Sequence, residues 1–425
     1  MRGIAHVAAI ESTTMTALTD RISAAQRMID EQALVKTLEQ LVRIRSVYDP
    51  DRLDGNERAA ADFVADLLDS WGMGYRRREV APGRPNLVVD LPGRRPGPVL
   101  VLEGHTDVVT AGDRSAWSVD PFGAAIVDGR LYGRGACDMK GGLVAMLFAA
   151  RALQLSGCEY GGTVRLAVLV DEEGMMTGAK AFVADGELDG VAAAIICEPE
   201  GDRLCIAQKG ALRARVTLHG RMAHGCMPEQ GINPVAALGE VVVECRRIEQ
   251  EVRSASLPHS LLGHFSLTPT VALAGEPAQA NVIPSAAELL LDVRTTADHN
   301  HAELRALIAE RLQRAAQRIP GAGMAIEWLD DRPATETSPD AAIVAAVSDA
   351  HKAETGETPP FGGVPGSTDG TIFWAATRLP LVTYGPGATT LPHQADEWIA
   401  LDEVVRYART YAGAALRFFD LQESG

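Results

Sequence analysis

The sequence predicts an α/β protein: a doubly wound, mostly parallel sheet interrupted by an inserted ferredoxin-like α+β domain. Three observations carry that reading. Short, uniformly apolar runs recur between helical stretches, the signature of parallel strands buried on both faces. Between about 212 and 329 the pattern changes to polar–apolar alternation and amphipathic helices. Beyond that stretch a buried run of the first type resumes. At ~150 residues per domain, 425 residues suggest two or three domains. The expected division is a discontinuous catalytic domain of residues 1–211 and 330–425 and an insert of 212–329.

The elements follow in order. The first buried strand is Pro98–Leu102, and a helix follows over Met139–Leu155 with Asp138 as its N-cap. Two further strands are Thr163–Val170 and Val191–Ile196, and the last is Leu379–Thr383. Within the insert, Arg213–Leu218 alternates and Pro234–Ile248 is helical. Phe265–Leu273 and Ala286–Arg294 are candidate antiparallel strands, His301–Arg318 an amphipathic helix, and Met324–Leu329 a last strand. That order, β-α-β-β-α-β, is a split sandwich. An insert of this size predicts a lid or a dimerisation module.

Composition removes several function classes. Forty Lys+Arg against fifty-six Asp+Glu leave a net charge of −16, which repels phosphates and argues against nucleic-acid and anionic-membrane partners. The apolar share of 46% and charged share of 23% are those of a globular protein rather than a disordered one. The most apolar run, Leu143–Ala150, falls far short of the ~20 residues a bilayer needs. Six cysteines, none in Cys-x-x-Cys spacing, fit reduced thiols and a cytoplasmic address. Residues 1–14 read as a disordered tail if Met15 is the true start, and no export cleavage site stands out.

The chemistry is concentrated after the buried strands. His105 and Asp107 follow the first, Asp171-Glu172-Glu173-Gly174 the second and Glu198 the third, and Gly385-Pro-Gly387 after the fourth leads to His393. In open α/β sheets ligands bind beyond the carboxyl ends of the strands. Carboxylates and imidazoles gathered there without a compensating Lys or Arg repel one another unless a cation neutralises them, so a metal centre is the natural resolution. Any one of these residues alone is more simply a turn residue or cap, and Glu172-Glu173 alone a solvated loop. Four strand ends carrying acid or His together make coincidence the weaker explanation.

These segments carry a family resemblance. Gly104-His-Thr-Asp107, Tyr132-Gly-Arg-Gly-Ala-Cys-Asp-Met-Lys-Gly-Gly142, Asp171-Glu-Glu-Gly174 and Cys197-Glu-Pro199 resemble the motifs of the co-catalytic metallo-amidohydrolases and metallopeptidases, the family of acetylornithine deacetylase, succinyl-diaminopimelate desuccinylase, aminoacylase and glutamate carboxypeptidase. The resemblance runs from about 36 to 416. It implies two divalent metal ions, zinc first, with cobalt or manganese as substitutes. Asp138 would bridge them, His105 and Glu198 completing one site and Glu173 and His393 the other. Asp107 would orient the His105 ring, and Glu172 would take the proton of the metal-bridging water and pass it to the leaving nitrogen.

The resemblance extends to the insert, which such enzymes carry as a lid. His224 matches a histidine that steadies the oxyanion in the partner subunit's site, implying a homodimer through the lid and leaving room for a higher homo-oligomer. Asn281 and Arg294 match positions that bind substrate oxygens or a carboxylate, for which an Arg fork is suited. Gly366 and Ser367 lie in a glycine loop, 362–369, that resembles the family's substrate-facing loop. Cys226 and Met227, just after His224, depart from what is usual there.

The expected function is therefore metal-dependent hydrolysis of an amide C–N bond in a small carboxylate-bearing substrate such as an N-acyl amino acid. Two readings stay open within the fold: hydrolytic deamination of an aromatic amino-carboxylate, and removal of a carbamoyl group. A non-catalytic scaffold is the reading from another class, opposed by the retention of Glu172 and every ligand. No Gly-x-x-x-x-Gly-Lys-[Ser/Thr], Gly-x-Ser-x-Gly or His-Glu-x-x-His occurs.

Overall fold

A computed structural model describes residues 17–52 and 54–424. The expected tail over 1–14 lies outside the described residues. The backbone divides into two compact units. One comprises the described residues up to Ile206, with Thr337–Gly362 and Thr368 onward; the other comprises Ala207–Glu336 with Gly363–Ser367.

The first unit is built on a twisted sheet whose four central strands are parallel. Across the sheet the order is Tyr75–Ala81, Arg84–Pro92, Gly161–Leu169, Arg95–His105, Val191–Pro199, Leu381–Gly385, Leu204–Gln208. The parallel pairs are Arg95–His105 with its two neighbours, and Val191–Pro199 with Leu381–Gly385. These four are the uniformly apolar runs: Leu100, Val101, Leu102, Val164, Leu166, Ile195, Ile196 and Val382 are all fully buried. Flanking antiparallel strands complete the sheet, so it is mostly rather than wholly parallel.

Register decides where the chemistry falls. His105 pairs with Leu169, Glu103 with Ile196, and Gly385 with Pro199. The four strands therefore end level with one another, and the residues just beyond them share one edge of the sheet.

The helix expected over Met139–Leu155 runs over Gly141–Ser156, and Asp138 is not its cap. Ala136–Lys140 form a separate turn in which Asp138 has φ −115 and ψ 99, an extended residue with its side chain turned to other work. The helix starts where close packing demands glycine: a Cβ on Gly142 would stand 2.0 Å from the Cys197 carbonyl oxygen. Nearly every side chain of the helix is buried, so its apolar run is core. Three short strands, Ala125–Val127, Arg130–Tyr132 and Trp398–Ala400, form a small sheet of their own.

The second unit is a four-stranded antiparallel sheet with two helices. Strand order is Ser266–Ala274, Ala286–Thr295, Gly210–His219, Gly323–Arg332, the 2-3-1-4 order of a ferredoxin-like sandwich. Pro234–Ala255 and His301–Ala316 are its helices, and Val241, Cys245, Ile248, Ile308 and Leu312 pack onto Leu212, Val216, Leu289 and Val293. Asn233 and Asn300 cap the two helices through their side chains, which fixes both N-termini.

Candidate metal centre

His105 closes its strand fully buried, and its ring points at two carboxylates. Nε2 lies 3.3 Å from Asp138 Oδ1 and 3.3 Å from Glu198 Oε1. On the other side of Asp138, Oδ2 stands 3.3 Å from Nε2 of His393, which is 2.9 Å from Glu173 Oε1. Two clusters result, His105–Asp138–Glu198 and Asp138–Glu173–His393, each with one donor atom per residue within 4.8 Å of the others, and Asp138 belongs to both. His393 is the exposed member, in a left-handed backbone conformation at φ 66.

The donor set fits divalent ions. Among the described residues His105 Nε2 is buried with no hydrogen-bond partner, an orphan atom facing carboxylate oxygens. Burial and then the charge of Asp138 push Glu198 up to about 8, while burial and the charge of Glu198 push Glu172 well above the ordinary carboxyl range. Hydrogen bonds to Asp138 and Glu173 push His393 up to about 10. Acids crowded to this degree hold protons unless a cation sits among them, and imidazole with carboxylate suits first-row divalent metals.

Neighbouring segments hold these groups in place. Asp107 Oδ1 and Oδ2 accept the backbone N–H of Glu172 and Glu173 at 3.2 and 3.0 Å, which sets the turn that presents both side chains. The His105 Nδ1 contacts the backbone carbonyl of Asp107 at 2.9 Å, closer than its carboxylate at 3.5 Å. Asp171 Oδ2 accepts from Thr177 Oγ1 at 2.7 Å, and its Oδ1 from the buried Arg84, which also forks onto Glu57. Lys140, fully buried, donates to Leu41 O and Ile44 O; burial lowers it to about 7. Beside Glu173 lies a cleft of about 340 Å³ walled by Val47, Tyr48, Val108 and Val109. The Tyr48 ring rests on the Arg84 guanidinium, 3.8 Å away.

The remaining candidates lie in the second unit. His224 is exposed on a two-residue strand, Ala223–His224, paired with Val282–Ile283, and Asn281 O accepts the Gly225 N–H at 2.7 Å. The structure thus brings His224 and Asn281 together. Arg294 is engaged by its own strand, with Nε and Nη2 on Asp292 at 2.6 and 3.0 Å. Ser367 Oγ donates to Lys209 O at 2.8 Å, with Gly366 partly exposed beside it. Sequence reasoning assigned no role to Arg134 and Lys140, although both lie in the Tyr132–Gly142 motif, and it missed Glu57, Arg84 and Glu397, for which the only signal was a charged residue inside or beside an apolar segment.

Comparison with known proteins decides the family. Residues 101–417 match peptidase family M20/M25/M40. The chain is also 33% identical over 410 residues to a succinyl-diaminopimelate desuccinylase of Methylobacterium radiotolerans, covering 91% of this chain and 97% of that one. The chain belongs to peptidase family M20/M25/M40. Membership makes it a metal-dependent hydrolase acting on C–N bonds. A probable succinyl-diaminopimelate desuccinylase of Staphylococcus epidermidis is 27% identical over 90% of this chain and 97% of its own. Among solved structures, the di-peptidase Dug1p of Saccharomyces cerevisiae superposes with a TM-score of 0.77 at 17% identity, covering 94% and 98% of the two chains. The M20 metallo-carboxypeptidase Sso-CP2 of Sulfolobus solfataricus gives 0.75 at 18%, covering 91% and 99%.

Proposed function

We propose that this M20 protein hydrolyses the amide bond of an N-acyl amino acid with two divalent ions, zinc by preference, held by His105, Asp138, Glu173, Glu198 and His393. The observation that carries the reading is a pair of donor clusters sharing one carboxylate, Asp138, with Glu172 next to a ligand in sequence yet outside both clusters. When bound, the ions acidify a water and polarise the scissile carbonyl.

The chain's own residues do the rest. Glu172 takes the proton of the attacking water and returns it to the leaving nitrogen, a task suited to a carboxyl whose burial favours the protonated form. Asp107 keeps the Glu172–Glu173 turn fixed while the proton moves. His224 donates to the developing oxyanion in the partner subunit's site and Asn281 to a substrate oxygen, a reading supported by the pairing of Ala223–His224 with Val282–Ile283 and by the Gly225 N–H on Asn281 O. Arg294 has donors left over after binding Asp292. Burial and the charges of Arg253 and Arg294 hold Lys209 below the ordinary lysine range, the field a substrate carboxylate relieves, and Gly366 and Ser367 line that side.

The relatives' names make an N-succinyl diamino acid the first substrate to try. We further propose a homodimer through the second unit. Its helix Pro234–Ala255 exposes Val235, Val242 and Val243, and its sheet edge Ser266–Ala274 exposes Val271 and Leu273. A free strand edge beside apolar side chains favours pairing with a twin. A cytoplasmic address is in keeping with six unbridged cysteines; among the described residues no helix is long and apolar enough to cross a membrane.

The test is turnover on N-succinyl and N-acetyl amino acids, dipeptides, N-carbamoyl amino acids and aromatic amino-carboxylates, before and after chelation and on return of zinc, cobalt or manganese. Metal-restored release of an acyl group supports the reading. Chelator-resistant activity, or turnover confined to the carbamoyl or aromatic amine substrates, overturns it.

A further inference from the structure

Glu397 is fully buried, four residues beyond His393, and its carboxylate reaches into the turn that carries Asp138. Oε1 accepts the backbone N–H of Cys137 at 2.9 Å and of Asp138 at 3.0 Å. Oε2 pairs with the guanidinium of Arg134, itself 2% exposed. The Glu397 backbone carbonyl accepts from Gly133 N at 2.8 Å, and Arg134 Nε donates to Thr110 O at 3.2 Å. One side chain thus joins the turn of Asp138 to the segment of His393, and its counter-ion adds the segment after Asp107.

This placement is costly, because a buried carboxylate gives up its hydration. A buried carboxylate close to Asp138 feels its like charge, and burial together with that charge holds Glu397 above the ordinary carboxyl range. Arg134 offsets the charge. What is gained is direction: with the N–H groups of residues 137 and 138 both pinned, Asp138 stays extended at φ −115 and ψ 99. In that conformation its Oδ1 stands 3.3 Å from His105 and its Oδ2 3.3 Å from His393.

We propose that Glu397, neutralised by Arg134, is a positioning residue that directs the Asp138 carboxylate toward both donor clusters and so governs metal affinity. The inference rests on the metal-centre reading above. Partners that orient metal ligands typically contribute ~10–100-fold to affinity.

The experiment titrates zinc into chelator-stripped full-length protein against a chromophoric competitor, with melting temperature measured on the same samples. The wild type comes first, because absence of binding there overturns the metal-centre reading rather than this one. Given binding, Glu397→Gln should weaken it ~10–100-fold. Arg134→Met should lower both stability and affinity, since it strands a buried carboxylate. The double variant Glu397→Gln/Arg134→Met removes the stranded charge, so its stability should recover relative to Arg134→Met while its affinity stays low. Wild-type affinity in Glu397→Gln, or affinity returning together with stability in the double variant, shows a brace for the fold alone and overturns the proposal. Should Glu397→Gln not fold, Glu397→Asp keeps the charge but draws the carboxylate back by one methylene from the N–H groups of Cys137 and Asp138, and unchanged zinc affinity in that variant has the same contrary meaning.

Discussion

Arg84→Met tests whether the turn bearing Glu172 and Glu173 is held from below by a buried ion network. Arg84 is 6% exposed; its Nε and Nη2 lie 2.8 and 2.5 Å from the two oxygens of Glu57, and Nη2 lies 2.7 Å from Asp171 Oδ1. Methionine roughly conserves the buried volume, so the main effect is electrostatic. Removing one partner of a buried pair costs about 3–5 kcal/mol. Because two buried carboxylates lose their partner here, the upper part of that range is expected. Burial already holds Glu57 above the ordinary carboxyl range despite its hydrogen bonds to Arg84, and the variant raises it further. A carboxyl whose folded pKa exceeds its unfolded value takes up a proton on folding. Its contribution is most favourable below the unfolded pKa and is lost as pH rises through the folded one. The deficit of the variant should therefore shrink from pH 7.5 to pH 5.5. Urea unfolding at the two pH values measures it, with Glu57→Gln/Arg84→Met expected to regain part of the loss. A deficit under about 1 kcal/mol, or one independent of pH, refutes the reasoning.

The two adjacent glutamates should separate by function. Glu173→Gln is expected to lose bound metal, whereas Glu172→Gln keeps metal and loses ~10²–10⁴ in turnover, as metal analysis beside initial rates will show; parallel behaviour would contradict the division of labour. His224→Ala should lower turnover by ~10²–10³ at unchanged metal content. Mixed with Glu172→Gln under verified subunit exchange, it should regain activity if His224 serves the neighbouring subunit, and a mixture that stays inactive argues against that.

Much of the fold was legible because the four central strands are apolar on both faces. Val99–Leu102 or Val164–Val168 fit little else, and their level ends explain why His105, Glu173 and Glu198 could be grouped from the sequence. The ferredoxin-like unit was legible through alternation, as in Ala286–Thr295, whose burial alternates residue by residue. Asp138 shows where local signals mislead: an acid before an apolar helix looks like a cap, but its backbone is extended and the helix begins three residues later, at Gly141. The strands Ala125–Val127, Arg130–Tyr132 and Trp398–Ala400 were invisible because three residues carry no periodicity. Glu397 and Arg84 were missed for another reason. Their partners lie 259 and 260 positions away in one case, and 27 and 87 in the other, and no local pattern marks a charge that is balanced so far along the chain.

The central claim is that one carboxylate, Asp138, serves two metal sites. Metal content per chain, measured after loading with zinc and removal of the excess, tests it most directly. Two ions are expected in the wild-type protein, one in Glu198→Gln and one in His393→Ala, and the loss of both in Asp138→Asn. Retention of one full equivalent by Asp138→Asn, or no tightly held metal in the wild type, would contradict it.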